Sequence, residues 1–141
     1  MHAQILKPVV ALIAWTMVMW GWMLVVRMPA LKAAGIRLGQ LVGTKGSDAD
    51  RVLPAAAQWK AHNYNHLMEQ PTLFYAVALT LALTGQGDGI NAAIAWGYAG
   101  LRIVHSLVQA TINRVDLRLA LFMASSLCLV ALTLHAAIAV F

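Results

Sequence analysis

Charge is scarce in this chain of 141 residues: Asp, Glu, Lys and Arg together make up 11%, against about 25% in a soluble domain. Hydrophobic residues make up 61%. An apolar excess of this size points to lipid as the solvent. Acids are scarcer than bases, and the net charge is +5. A basic chain can hold nucleic acid. Here, however, no basic stripe is interleaved with aromatics. The Lys and Arg flank apolar runs, as membrane topology requires, so no nucleic-acid partner is expected. Cysteine is nearly absent: Cys128 stands alone in an apolar run. One cysteine excludes an internal disulfide and any cysteine-based metal spacing, which leaves a small packing residue. No small-residue cleavage site precedes Arg27, and the first apolar run outlasts a signal-peptide core, so it reads as a retained membrane helix. Internal repeats and low-complexity segments are missing as well.

Apolar runs of the length needed to cross a bilayer, about 20 residues, organise what is present. Ile5 to Val26 is a first span, with Lys7 near enough to its end to snorkel. Trp20 and Trp22 sit where an interface would be. Met28 to Pro54 is too polar to cross, with Pro29 and six charges. Leu31, Ile36, Leu38, Leu41 and Val42 predict a short interfacial helix there, followed by a loop at "GTKGSDAD". Pro54 opens a second helix that runs to about Thr84, and Pro71 should kink it or loosen one turn. "GQGDG" is a turn. Ile90 to Ile112 and Leu117 to Phe141 are the third and fourth spans, joined at "NRVD".

Four spans place both termini on one side. The first connection carries Arg27, Lys32, Arg37, Lys45 and Arg51, the third carries Arg114, and the second has no Lys or Arg. The positive-inside rule then puts the first and third connections in the cytoplasm and both termini outside.

Polar residues concentrate in "HNYNHLMEQP", at the cytoplasmic half of the second span. On a helix His62, His66 and Glu69 fall on one face, Asn65 lies four residues before Glu69, and Asn63 and Gln70 make a neighbouring stripe. In the third span Arg102, His105 and Gln109 share a face. Arg118 opens the fourth span at the same level. Ionisable groups at this depth cost about 2.5 kcal/mol or more and face the bundle interior in pairs. A structural ion pair between Glu69 and Arg102 and a ligand site are both open readings. His62, His66 and Glu69 also admit a set of metal ligands, but without HExxH order, and no metal is assigned. Ser106 adjoins His105 in sequence, so a helix points the two apart and no Ser-His-Asp chemistry is expected. His2 and His135 read as interface or packing residues.

The segments "NYNHLMEQPTLFY" and "GYAGLRIVHSLVQATINRVDLR" resemble the MAPEG family, membrane-associated proteins in eicosanoid and glutathione metabolism. The second segment is the more specific, with R-x-x-H, then N-R-V, then an Arg thirteen residues after the His. The resemblance covers Arg51 to the C-terminus and is to bacterial-type members. It implies one all-α domain over residues 1–141, an integral-membrane four-helix bundle assembled as a homotrimer, in a bacterial inner membrane. It also implies glutathione as cofactor and a hydrophobic small-molecule substrate, with the site between subunits near the cytoplasmic face. Carried over by motif, Arg118 and His105 are catalytic candidates and Arg102 and Glu69 binding candidates; Asn113, which matches the N-R-V turn, and His66, His62 and Asn65 of the second span complete the binding candidates. His62 and His66 stand where the family's enzymes usually have Arg and Asn, and Gln109 and Phe122 stand where they have Tyr. The implied activity is that of a glutathione-dependent transferase or peroxidase. The alternative is a non-catalytic member whose polar cluster binds lipid or locks the trimer.

Overall fold

The computed structural model describes residues 3–141, and its regular structure is all helical, with no strand among the described residues. His2 lies outside them. The five α-helices are α1 (Leu6–Ala33), α2 (Ala55–Leu67), α3 (Gln70–Leu83), α4 (Ile90–Ala110) and α5 (Val115–Val140). Of these, α1 and α5 are each long and apolar enough to cross a membrane.

α1 begins with Pro8 in its first turn, where a missing N–H costs little. It continues past the expected end at Val26, through Pro29, to Ala33. A Schellman motif stops it: Gly35 takes φ 72°, its N–H bonds the Lys32 carbonyl at 3.1 Å, and the Ile36 N–H bonds the Leu31 carbonyl at 3.0 Å. The interfacial helix expected between Leu31 and Val42 does not form. Leu31 belongs to the end of α1, Gly35 turns the chain out of helical space, and only a single 3-10 turn follows at Leu38–Gln40. The expected loop "GTKGSDAD" is partly ordered into a second 3-10 segment, Gly46–Arg51. There the Asp48 carboxylate accepts the Lys45 N–H at 2.8 Å.

Pro54 stands immediately before α2. The helix expected to run on to Thr84 breaks at Met68 and Glu69, and α3 restarts with Pro71 in its first turn. Pro71 cannot donate to the Leu67 carbonyl and its ring crowds that oxygen. The strain is released upstream, at Glu69 (φ −89°, ψ −101°). A loosened turn was therefore legible, but it falls two residues before the proline.

"GQGDG" closes α3 with Gly85 at φ 75°. Gly87 has a further reason to lack a side chain: a Cβ there would come within 2.6 Å of the Ala3 Cβ. The Ile5 N–H meets the Gly87 carbonyl at 2.8 Å, so this turn seats the start of the chain.

α4 packs along α5 and against α1 and α2, and α3 packs on α5. Ala95 and Ala99 are fully buried on α4, and such small residues let neighbouring helices approach closely. Phe74 of α3 stacks on Tyr98 of α4 with ring centroids 4.4 Å apart. The outward faces are apolar, with Val10, Met17, Leu73, Leu127, Leu134 and Ile138 all exposed. Water penalises so continuous an apolar surface, and lipid does not.

Candidate functional site

The break between α2 and α3 creates the site's central contact. Because Glu69 leaves the helix, the His66 carbonyl is open to Arg102 of α4, whose Nη2 donates to it at 3.2 Å. Nη1 lies 3.4 Å from His66 Nε2, a long contact. On its other side, His66 Nδ1 lies 3.1 Å from Glu69 Oε2. These partners specify one tautomer: Nδ1 carries the proton and donates to Glu69, and Nε2 faces the guanidinium. The order is therefore Arg102, His66, Glu69. Of the two open readings, the direct ion pair of Glu69 with Arg102 does not form, because the break turns Glu69 outward, with its side chain 68% exposed.

Arg102 is fully buried. Phe122 of α5 covers it, with the ring centroid 5.7 Å from the guanidinium carbon. Its Nε has no hydrogen-bond partner. Arg118 of α5 donates from Nη1 to Asn113 Oδ1 at 2.7 Å, and its Nε is likewise buried without a partner. Among the described residues neither arginine is in ion-pair contact with a carboxylate.

Asn113 combines two functions in the turn between α4 and α5. It takes φ 50°, and its N–H closes onto the Val108 carbonyl at 2.7 Å. That backbone closure ends α4, and its side chain aims Arg118. Just outside, Arg114 and Asp116 pair at 2.5 Å. This hydrogen bond holds the Asp116 carboxyl below its ordinary range and raises Arg114.

His66, His105, Arg118 and Phe122, with Val115 and Leu119, line a cavity of about 200 Å³. The two imidazole centroids are 4.9 Å apart. The side chains of His66, Arg102, His105 and Arg118 thus converge from three helices, with Arg102 behind the cavity wall. The other candidates lie apart. His62 pairs with Asp50 at 3.0 Å, because the 3-10 segment before α2 brings that carboxylate over the helix. Asn65 is exposed on α2 and is not among the residues that line the cavity.

A second buried polar chain was not anticipated as a unit. Trp15 Nε1 of α1 donates to Ser106 Oγ at 2.9 Å, and Asn63 Nδ2 of α2 donates to the same oxygen at 2.7 Å. A tryptophan in mid-span needs an acceptor for its N–H, which was the available signal. Gln70 forms a third link, donating to Ser126 Oγ at 2.8 Å and accepting from the Tyr98 hydroxyl at 3.3 Å.

The family model of the MAPEG family matches residues 5–138, nearly the whole chain. The chain belongs to the MAPEG family. It is thus a membrane protein of a family associated with glutathione and eicosanoid metabolism. The match extends the MAPEG likeness through α1 and the α1–α2 connection, which sequence motifs alone had left outside. No match was found among curated proteins or among solved structures.

Proposed function

We propose that this MAPEG protein is a membrane-embedded, glutathione-dependent transferase or peroxidase-like enzyme that acts on a hydrophobic electrophile entering from lipid. One observation carries the reading: two guanidiniums and two imidazoles gather at one cavity, with no carboxylate among the described residues paired to either arginine. Uncompensated buried cations are costly, and an anionic ligand relieves that cost.

The donor set suits glutathione. Arg118, with its free Nε, would hold a carboxylate or the thiolate. His66 and His105 would add hydrogen bonds. Glutathione supplies a nucleophilic sulfur, and positive potential at Arg118 favours its ionised form. Phe122 covers Arg102 from the apolar side and limits water there. Arg102 acts through His66, which it fixes in place. Asn113 positions Arg118. Glu69, Asn65 and His62 lie outside the cavity and would reach a bound ligand only from a neighbouring copy.

The proposal includes four spans, with α2 and α3 together forming the second, and a homotrimer. The five cations between Arg27 and Arg51, against none in "GQGDG", support a cytoplasmic site with both termini outside, in a bacterial inner membrane. The test is titration of purified protein with glutathione, following thiolate absorbance. Thiolate formation in the wild type that is lost in Arg118→Ala supports the reading. No binding at millimolar glutathione rejects it.

The complete burial of Arg102 favours a second reading, a non-catalytic member in which the Arg102–His66 link locks helices and the cavity takes a lipid headgroup. In that case Arg102→Leu lowers thermal stability in detergent and thiol conjugation is absent from the wild type.

A further inference from the structure

The connection between α1 and α2 carries a feature that the proposed reaction does not use. Arg27, Leu31, Ile36, Leu38, Lys45 and Asp48 line a cavity of about 430 Å³, within the usual range of ligand pockets, roughly 300–1,000 Å³. Leu31, Ile36 and Leu38 also wall a neighbouring space of about 580 Å³, which Lys32 borders. Beside these spaces Leu38, Leu41 and Val42 remain exposed.

The charges of this segment are unbalanced. Residues 27–51 hold Arg27, Lys32, Arg37, Lys45 and Arg51 against Asp48 and Asp50. Both carboxylates are already engaged. Asp48 accepts the Lys45 backbone N–H, and Asp50 pairs with His62. Among the described residues none of the five cations meets a carboxylate. Arg27 makes one hydrogen bond, to the Gly46 carbonyl, which holds the connection over the end of α1.

We propose that this connection binds one anionic phospholipid, an acyl chain in the Leu31–Ile36–Leu38 cavity and the phosphate on Arg27 and Lys45. The position argues for a bilayer lipid over a free fatty carboxylate. α1 carries no charge from Pro8 to Val26 and turns cationic at Arg27, which is where a bilayer presents its phosphates. Clustered cations at that level attract anionic lipid, and this cluster exceeds what one carboxylate requires.

The experiment is native mass spectrometry of the full chain released from a nonionic micelle. Phosphatidylglycerol, phosphatidylcholine and oleate are titrated separately and in competition. The expected result is a single saturable phosphatidylglycerol adduct per chain, preferred over phosphatidylcholine and not displaced by oleate. Lys45→Gln, at a side chain that makes no ion pair among the described residues, should weaken the adduct about fivefold. Equal uptake of the two phospholipids, displacement by oleate, or unchanged binding in Lys45→Gln each overturns the proposal. The first two read the wild type alone, so they hold even if a variant fails to fold. Glutathione titration reads the other cavity, so failure there leaves this result unaffected.

Discussion

The two ends of the α4–α5 pair each place a histidine between helices, and they treat it differently. At one end His135 Nδ1 lies 2.6 Å from Asn91 Oδ1, and Asn91 Nδ2 donates to the Gln86 carbonyl at 2.8 Å. Both polar atoms of the Asn91 side chain are satisfied. At the other end Arg102 Nε, Arg118 Nε, Asn63 Oδ1 and Gln109 Oε1 are buried without partners. In a low-dielectric setting each such atom carries a desolvation cost. A polar residue within a membrane helix is therefore not evidence of function on its own. Satisfied groups at one end fasten helices. Unused hydrogen-bonding capacity at the other end, beside a cavity, is what the proposed ligand would use.

Arg118→Ala should separate the two ends most sharply. We expect thiol conjugation to an activated aryl halide to fall about 100-fold or more, as when one preorganised charge-stabilising group is removed. Melting in detergent should change little, because among the described residues the Arg118 side chain hydrogen-bonds to Asn113 alone, at the turn that ends α4. A variant that keeps wild-type rates would show that the cationic end is structural like the other.

Asn91→Leu tests the fastened end. It leaves the Gln86 carbonyl and His135 without their partner, at a cost of about 0.6–1.7 kcal/mol for an interhelical polar contact. Thermal unfolding in detergent should register the loss, with the rate per folded molecule unchanged. If the rate falls and the stability holds, the two ends have been assigned the wrong way round.

Much of this contrast was readable in the sequence, because helical spacing is local. Arg102, His105 and Gln109 share a face by counting alone, and N-R-V followed by Arg118 identifies a turn feeding a helix. What depends on tertiary placement was not readable. The pairing of Arg102 with His66 instead of Glu69 follows from where the α2–α3 break falls, and Pro71 signals a break without fixing its position. His62 goes to Asp50 because a 3-10 segment folds back over α2, and the charge pattern of "GTKGSDAD" does not encode that path. The meeting of Trp15, Asn63 and Ser106 needs three helices at once. The turn "GQGDG" marked the end of α3 correctly, whereas Gly35 fell inside the expected interfacial helix and ends α1 instead; the reach of α1 through Pro29 to Ala33 depended on Leu31 packing inward.

Glu69→Gln examines the boundary between the site and its surroundings. Glu69 touches His66 from an exposed position, and exposed pairs contribute about 0.2–1 kcal/mol. Its loss should therefore shift melting by no more than that range in one isolated chain. A larger loss that depends on protein concentration would instead place Glu69 against a neighbouring copy.

The smallest effect belongs to the Arg114–Asp116 pair, which closes the same turn from the water side. The folded-state pKa of Asp116 is depressed, first by its hydrogen bond to Arg114. Its contribution is therefore present above the ordinary aspartate range, about 4, and is lost as pH falls through the lower folded value. Both side chains are about two-thirds exposed, so water and salt screen the pair. The melting temperatures of wild type and Asp116→Asn should differ slightly at pH 7 and converge as the pH drops well below 4. A difference that persists unchanged into acid would mean that Asp116 acts as a neutral cap on α5. Its carboxylate would then have no part in aiming the turn that carries Arg118.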